Sequence, residues 1–172
     1  MIKRTFMIGI VVCIAAILSI GTITAYLADA DSARNVIRVG GNNITIDEEY
    51  DPKPIVPGTV ITKKVKIRND GPNPCYVRLR AVFSDSDIGK YAEVDWNTTD
   101  WAYDSSDEYY YYKYNLNKDE ETAYLLTTIR INEDLPKEHI KNVDMIIYAE
   151  SYQSYGFSDY QKAWAEYQKN NK

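Results

Sequence analysis

The chain is poor in the side chains that most metal and nucleophilic sites draw on. Histidine occurs once, as His139, and cysteine twice, as Cys13 and Cys75. A zinc site takes three or four His, Cys or carboxylate ligands. There is no HExxH, so only a carboxylate-dominated site stays open, and no cofactor is expected. Ser–His–acid and Cys–His catalysis would both have to run through His139, which lies in a charged stretch beside Pro136. Cys13 sits inside an apolar run, so a chain processed beyond it keeps Cys75 alone. One thiol makes no internal disulfide. A lipoprotein signal wants a small residue before its Cys, and Val12 occupies that place. Basic charge is also scarce, with 20 Lys and Arg against 25 Asp and Glu. Phosphate binding needs a basic surface, so no nucleic-acid partner is expected.

What is present begins with an apolar leader. Lys3 and Arg4 precede a stretch from Phe6 to Leu27 without a charged side chain. In lipid, the backbone groups of such a run are satisfied as a helix, with the paired cations on the cytoplasmic side. The run is longer than the apolar core of most signal peptides and approaches the ~20 residues of a spanning helix. It reads either as a cleaved signal or as a retained anchor. Gly21, Thr22, Thr24 and Ala25 weaken its outer end and offer small residues to a signal peptidase. Cleavage is therefore expected at Thr24–Ala25. Removing residues 1–24 takes away two of the 20 bases and no acid, leaving 18 against 25 and a net charge near −7. That balance suits an exported protein that touches the membrane only through its leader.

Beyond the leader the pattern is that of short strands. Ile37-Arg38-Val39 and Ile44-Thr45-Ile46 flank Gly40-Gly41-Asn42-Asn43. Pro52, Pro54 and Pro57-Gly58 mark a loop and turn. In Val60 to Asn69, Ile61, Val65 and Ile67 alternate with Lys64, Lys66 and Arg68, as on a half-buried strand. After the turn signal Asn69 to Pro74, Cys75, Val77, Leu79, Ala81 and Phe83 alternate with Tyr76, Arg78 and Arg80. These two strands are expected to form a long hairpin. A shorter one is expected from Val94-Asp95-Trp96 and Trp101-Ala102-Tyr103. Glu108–Tyr114, Thr122–Ile131 and Val143–Gln153 complete about eight strands. Ser158-Asp159-Tyr160-Gln161 has the capping-box pattern, and Tyr160, Ala163, Trp164 and Tyr167 recur at helical spacing. A short amphipathic helix is expected near 158–169. Many strands without alternating helices indicate an all-β, two-sheet sandwich.

Three smaller features have bland and functional readings. Tyr109 to Tyr112 and Tyr114, among 16 tyrosines, point alternately to opposite faces of a strand. One set is then core and the other wet surface, unless the wet set is an adhesive face. Asp85-Ser86-Asp87-Ile88-Gly89 has the start of a calcium loop but lacks the later ligands and the closing Glu. Asn43-Ile44-Thr45 and Asn97-Thr98-Thr99 match the glycosylation triplet.

Several segments together resemble one family. Gly21 to Asp29 followed by Asn35-Val36-Ile37-Arg38-Val39-Gly40 is similar to the leader and first strand of the TasA and camelysin group of Gram-positive bacteria. This group is exported with a SipW-type signal peptidase. Val56-Pro57-Gly58 with Lys63 and Lys64, then Asn69-Asp70-Gly71 and Tyr76-Val77-Arg78, resembles its Pro-Gly strand and Asn-x-Gly turn. Ala149-Glu150-Ser151-Tyr152-Gln153 before Gly156-Phe157, with Ala163-Trp164, is similar to its closing segment. Residues 84–140 carry no matching motif. The resemblance implies a jelly-roll-like sandwich, secreted or held at the cell surface. It also implies self-association into biofilm-matrix filaments by donor-strand exchange, with matrix or cell-wall partners. The donor would be Ala25 to Val39, and Val36, Ile37, Val39, Ile44 and Ile46 would carry the subunit contact. The implied domains are a signal peptide (1–24), a donor segment (25–40), the sandwich (41–156) and a C-terminal helix and tail (157–172). Camelysin-like members are described as surface metallopeptidases, which is the alternative reading. A membrane-tethered adhesin is a third.

Overall fold

The computed structural model describes residues 34–36 by their backbone, and residues 43–51, 53–139 and 144–170 with their side chains. The leader, the Thr24–Ala25 bond, Ile37 and Val39 lie outside the described residues. The described residues hold nine strands: β1 (Arg34–Val36), β2 (Ile44–Tyr50), β3 (Val60–Asn69), β4 (Cys75–Phe83), β5 (Ala92–Val94), β6 (Trp101–Asp104), β7 (Tyr109–Tyr112), β8 (Leu126–Ile131) and β9 (Met145–Gln153). They build a five-stranded sheet in the order β1-β9-β4-β7-β6 and a four-stranded sheet in the order β2-β3-β8-β5. Neighbours run antiparallel except β1 and β9, which are parallel. The fold is an all-β two-sheet sandwich. One helix, Tyr160–Asn170, follows the last strand.

Alternation in the sequence places one face of each sheet inward. Ile44 and Ile46 from β2, Val65 and Ile67 from β3, and Leu126, Ile129 and Ile131 from β8 meet Val77 and Leu79 from β4 and Ile147 and Ala149 from β9. Trp101 and Leu116 complete this core. Burying each such aliphatic side chain stabilises the fold by roughly 1.5–3 kcal/mol. Ile44 and Ile46, expected at a subunit contact, therefore sit in the protein's own core at 2% and 0% exposure. A contact through them would have to open that core.

Lys63 breaks the pattern. It points inward from β3 among Ile61 and Val65, and is only 3% exposed. Glu48 on β2 pairs with it, and the Tyr50 ring lies 4.8 Å from its Nζ. A buried ammonium needs such partners.

Neither expected hairpin forms. β3 pairs with β2 and β8, whereas β4 pairs with β9 and β7. The turn between them carries the chain from one sheet to the other. Asn69, fully buried, fixes that corner. Its Nδ2 donates to the carbonyls of Asn73 and Leu116, and its Oδ1 accepts from Gly71 N–H. Likewise β5 pairs with β8 and β6 with β7, in different sheets. An alternating strand reveals which face is apolar but not which neighbour it bonds.

Candidate functional site

The outer face of the five-stranded sheet carries a second, smaller core. Direct cross-strand pairs put Tyr76 opposite Tyr152, Arg78 opposite Glu150, and Arg78 opposite Tyr111. The C-terminal helix lies over these residues. Its Ala163 and Trp164 are buried against Tyr76 and Tyr111, with Tyr109, Tyr152, Phe157, Tyr160 and Tyr167 around them. The helix starts because Asp159 Oδ1 accepts from the backbone N–H of Lys162, 2.9 Å away. The cap is thus Asp159, one residue later than the capping-box pattern places it. That bond holds the Asp159 carboxyl below its ordinary pKa.

Arg78 is the centre of this layer. Its Nε and Nη2 both donate to Glu150 Oε2, at 2.9 and 2.6 Å. Its Nη1 reaches the Tyr111 hydroxyl at 2.9 Å and Asp107 at 3.3 Å. The guanidinium lies 4.0 Å from the Tyr109 ring centre and 4.4 Å from that of Trp164. Tyr109 donates to the other oxygen of Glu150, and Tyr111 donates to Asp107. Burial works against the Arg78 charge, but the Glu150 bonds outweigh it and hold the pKa above its usual value. Burial, then the bond to Glu150, pushes Tyr109 up to about 12. Each charge here is paired, so the cluster clamps the helix to the sheet and holds no group poised to react.

The tyrosine run is explained by these two cores. Tyr110 and Tyr112 pack against the main core, with Tyr110 stacked on Trp96 at 4.6 Å. Tyr109 and Tyr111 face the helix. Tyr109 to Tyr112 therefore form no wet face, whereas Tyr114 is 52% exposed. Arg78 and Glu150 sit at positions that alternation assigns to solvent. The signal for their burial was the aromatic partners Tyr76 and Tyr152 beside them, together with an apolar helical stripe near the end of the chain that needed a surface to cover.

Beside the helix, β6 is the end strand of its sheet, and among the described residues no strand pairs with its outer edge. A cleft of about 410 Å³ opens there, lined by Ala102, Tyr103, Asp104 and Ser105 on one side and Gln161, Trp164, Ala165 and Gln168 on the other. Tyr111 and Tyr160 also line it.

The other sequence candidates are dispersed. Val36 lies in β1, whose backbone pairs Arg34, Asn35 and Val36 with Ile147, Tyr148 and Ala149. His139 ends a single 3₁₀ turn and its ring faces Tyr91 at 5.8 Å. Asp85 caps the one-turn helix Ser86–Gly89 by accepting from Asp87 N–H. Among the described residues no three His, Cys, Asp or Glu side chains converge as a metal would require. Asn97 commits its side-chain amide to Asp100 and to the Tyr124 carbonyl. Compared with protein-family models, curated proteins and solved structures, the chain matches none.

Proposed function

We propose that this is an exported structural protein that assembles head to tail through its N-terminal strand, as TasA-like matrix proteins do. The observation that carries this reading is the place of β1. It comes from the start of the chain, lies at the end of the five-stranded sheet, and pairs in parallel with β9. Edge pairing is made of main-chain hydrogen bonds, so the same segment from a second copy can fill the same place. A strand given by one subunit to the next makes a heterologous contact, which propagates into a filament. On this reading a signal peptidase cuts at Thr24–Ala25, and the new N-terminal segment through Val39 is the exchanged strand. Ile44 and Ile46 then stay in the core of their own subunit.

The test compares two purified chains, one starting at Ala25 and one at Asn42, by electron microscopy. Filaments from the first and none from the second are expected. Equal polymerisation of both refutes the reading. Incubation with casein, with and without chelator, separates it from the camelysin-like alternative, because chelator-sensitive cleavage belongs to a metallopeptidase. The mass of the native protein separates a cleaved chain from a tethered one.

A further inference from the structure

The cleft between β6 and the C-terminal helix has a feature that side chains alone do not reveal. Lys113 N–H donates to the Asp100 carbonyl at 3.0 Å. Residues 101–104 pair with 112–109, so Asp100–Lys113 begins the hydrogen-bonded series. In an antiparallel ladder such pairs alternate. Ala102 therefore spends its backbone groups on β7, the Asp104 carbonyl accepts from Glu108 N–H in the turn, and Trp101 and Tyr103 turn theirs outward. β6 is the end strand of its sheet. Tyr103 packs its ring on Tyr110, at 4.7 Å, on the main-core side of the sheet. Its backbone is what borders the cleft.

We infer that this cleft is a docking groove for an extended basic peptide, which adds as a sixth strand to the free edge of β6 beside the C-terminal helix. Three observations converge. An outward N–H and C=O on one edge residue are matched by one residue of an added strand. Ala102, Ser105 and Ala165 are small and leave room for a backbone. Finally, Asp104 is the only charged side chain among the described residues that line the cleft. Hydrogen bonds from Ser106 hold its carboxyl below the ordinary range. Arg78, the cation at the centre of the layer, is committed to Glu150 and Asp107. The groove is therefore negative, and positive side chains on the added strand complement it. This inference is independent of strand exchange at β1, which lies at the opposite end of the sheet.

The experiment uses the full chain in detergent micelles and a synthetic eight-residue peptide of alternating Lys and Thr. Binding is read by nuclear magnetic resonance from the Trp164 indole signal. Saturable binding is expected, and an alternating Glu–Thr peptide is expected not to bind. Tyr103→Pro removes the outward N–H without touching the bonds to β7, and weakens binding about tenfold or more, as losing an edge hydrogen bond and adding a clash requires. Tyr103→Phe keeps the N–H and binds like the parent. Ala165→Arg, at an exposed helix position, fills the groove and reverses its charge, and abolishes binding even if Tyr103→Pro proves unfolded. Asp104→Asn keeps the acceptor for Ser106 and costs about two- to fivefold at low salt. A peptide copying residues 32–39 that binds more tightly than Lys–Thr identifies a second copy as the occupant and supports the groove. Equal binding of the Glu–Thr peptide, undiminished binding to Ala165→Arg, or no saturation at about 1 mM peptide overturns the inference.

Discussion

Replacing Arg78 with methionine tests the clamp that fastens the C-terminal helix. Methionine keeps most of the side-chain volume and removes the charge. The loss includes two bonds to Glu150, one each to Tyr111 and Asp107, and the contacts with the Tyr109 and Trp164 rings. What remains is Glu150, 6% exposed, with the Tyr109 hydroxyl as the one donor left to its carboxylate among the described residues. Leaving one member of a buried ion pair without its partner typically costs about 3–5 kcal/mol. Domain stability is itself about 5–15 kcal/mol, so the variant should sit near its unfolding threshold at 37 °C. Replacing both partners by apolar residues removes the stranded charge. Arg78→Met with Glu150→Met should therefore lie within ~1–2 kcal/mol of the parent. Urea unfolding followed by Trp fluorescence measures all three variants. A cost under ~1 kcal/mol for Arg78→Met refutes the clamp. So does a double variant as unstable as the sum of the two single ones, since coupled sites must depart from additivity.

Three further outcomes are expected. Asn69→Ala leaves the Asn73 carbonyl and the Gly71 N–H without these partners and takes one of two donors from the Leu116 carbonyl, which keeps Cys75 N–H, and should cost about 1–3 kcal/mol by urea unfolding, with Asn69→Asp recovering only the Gly71 bond. Burial pushes the Cys75 thiol up to about 12, so a thiol reagent at pH 8 should label it only after denaturation. Tyr109 and Tyr110 are raised to about 12, mainly by burial, from an unfolded value of 10.0. Folding favours their neutral form, so their contribution is full below pH 10 and fades as pH rises toward 12. Absorbance at alkaline pH should show them ionising late, with Tyr111, which burial raises further, later still, and replacing Tyr109 and Tyr110 with Phe should flatten that part of the stability profile.

The parts of the fold that were legible in the sequence are those that depend on one strand or helix at a time. Alternation in Val60–Asn69 and Cys75–Phe83 marks two strands and their apolar faces. The stripe Tyr160, Ala163, Trp164 and Tyr167 marks the helix. Partner choice is not written in a period of two, which is why β3 and β4 look like a hairpin and instead lie in different sheets. The Arg78 cluster escapes for a related reason. Arg78 and Glu150 occupy outward positions, and they become interior only because a helix 10 residues beyond Glu150 folds back over them. Lys63 hides in the opposite way, as a cation at an inward position whose partner Glu48 becomes visible only when β2 and β3 are paired. The cleft depends on backbone groups at Tyr103, and no side-chain pattern reports which way those point.

The parallel pairing of β1 with β9 also sets a clock. Arg34 and its partner Ile147 are separated by 113 positions. At synthesis rates of ~5–20 residues per second, the first strand waits roughly 6–23 seconds before its partner exists. During that interval its backbone has no sheet of its own to join, and every other strand of the sandwich can pair first. The earliest-made strand is thus the last to find its place. The order of synthesis alone keeps it available to whatever neighbour is nearest.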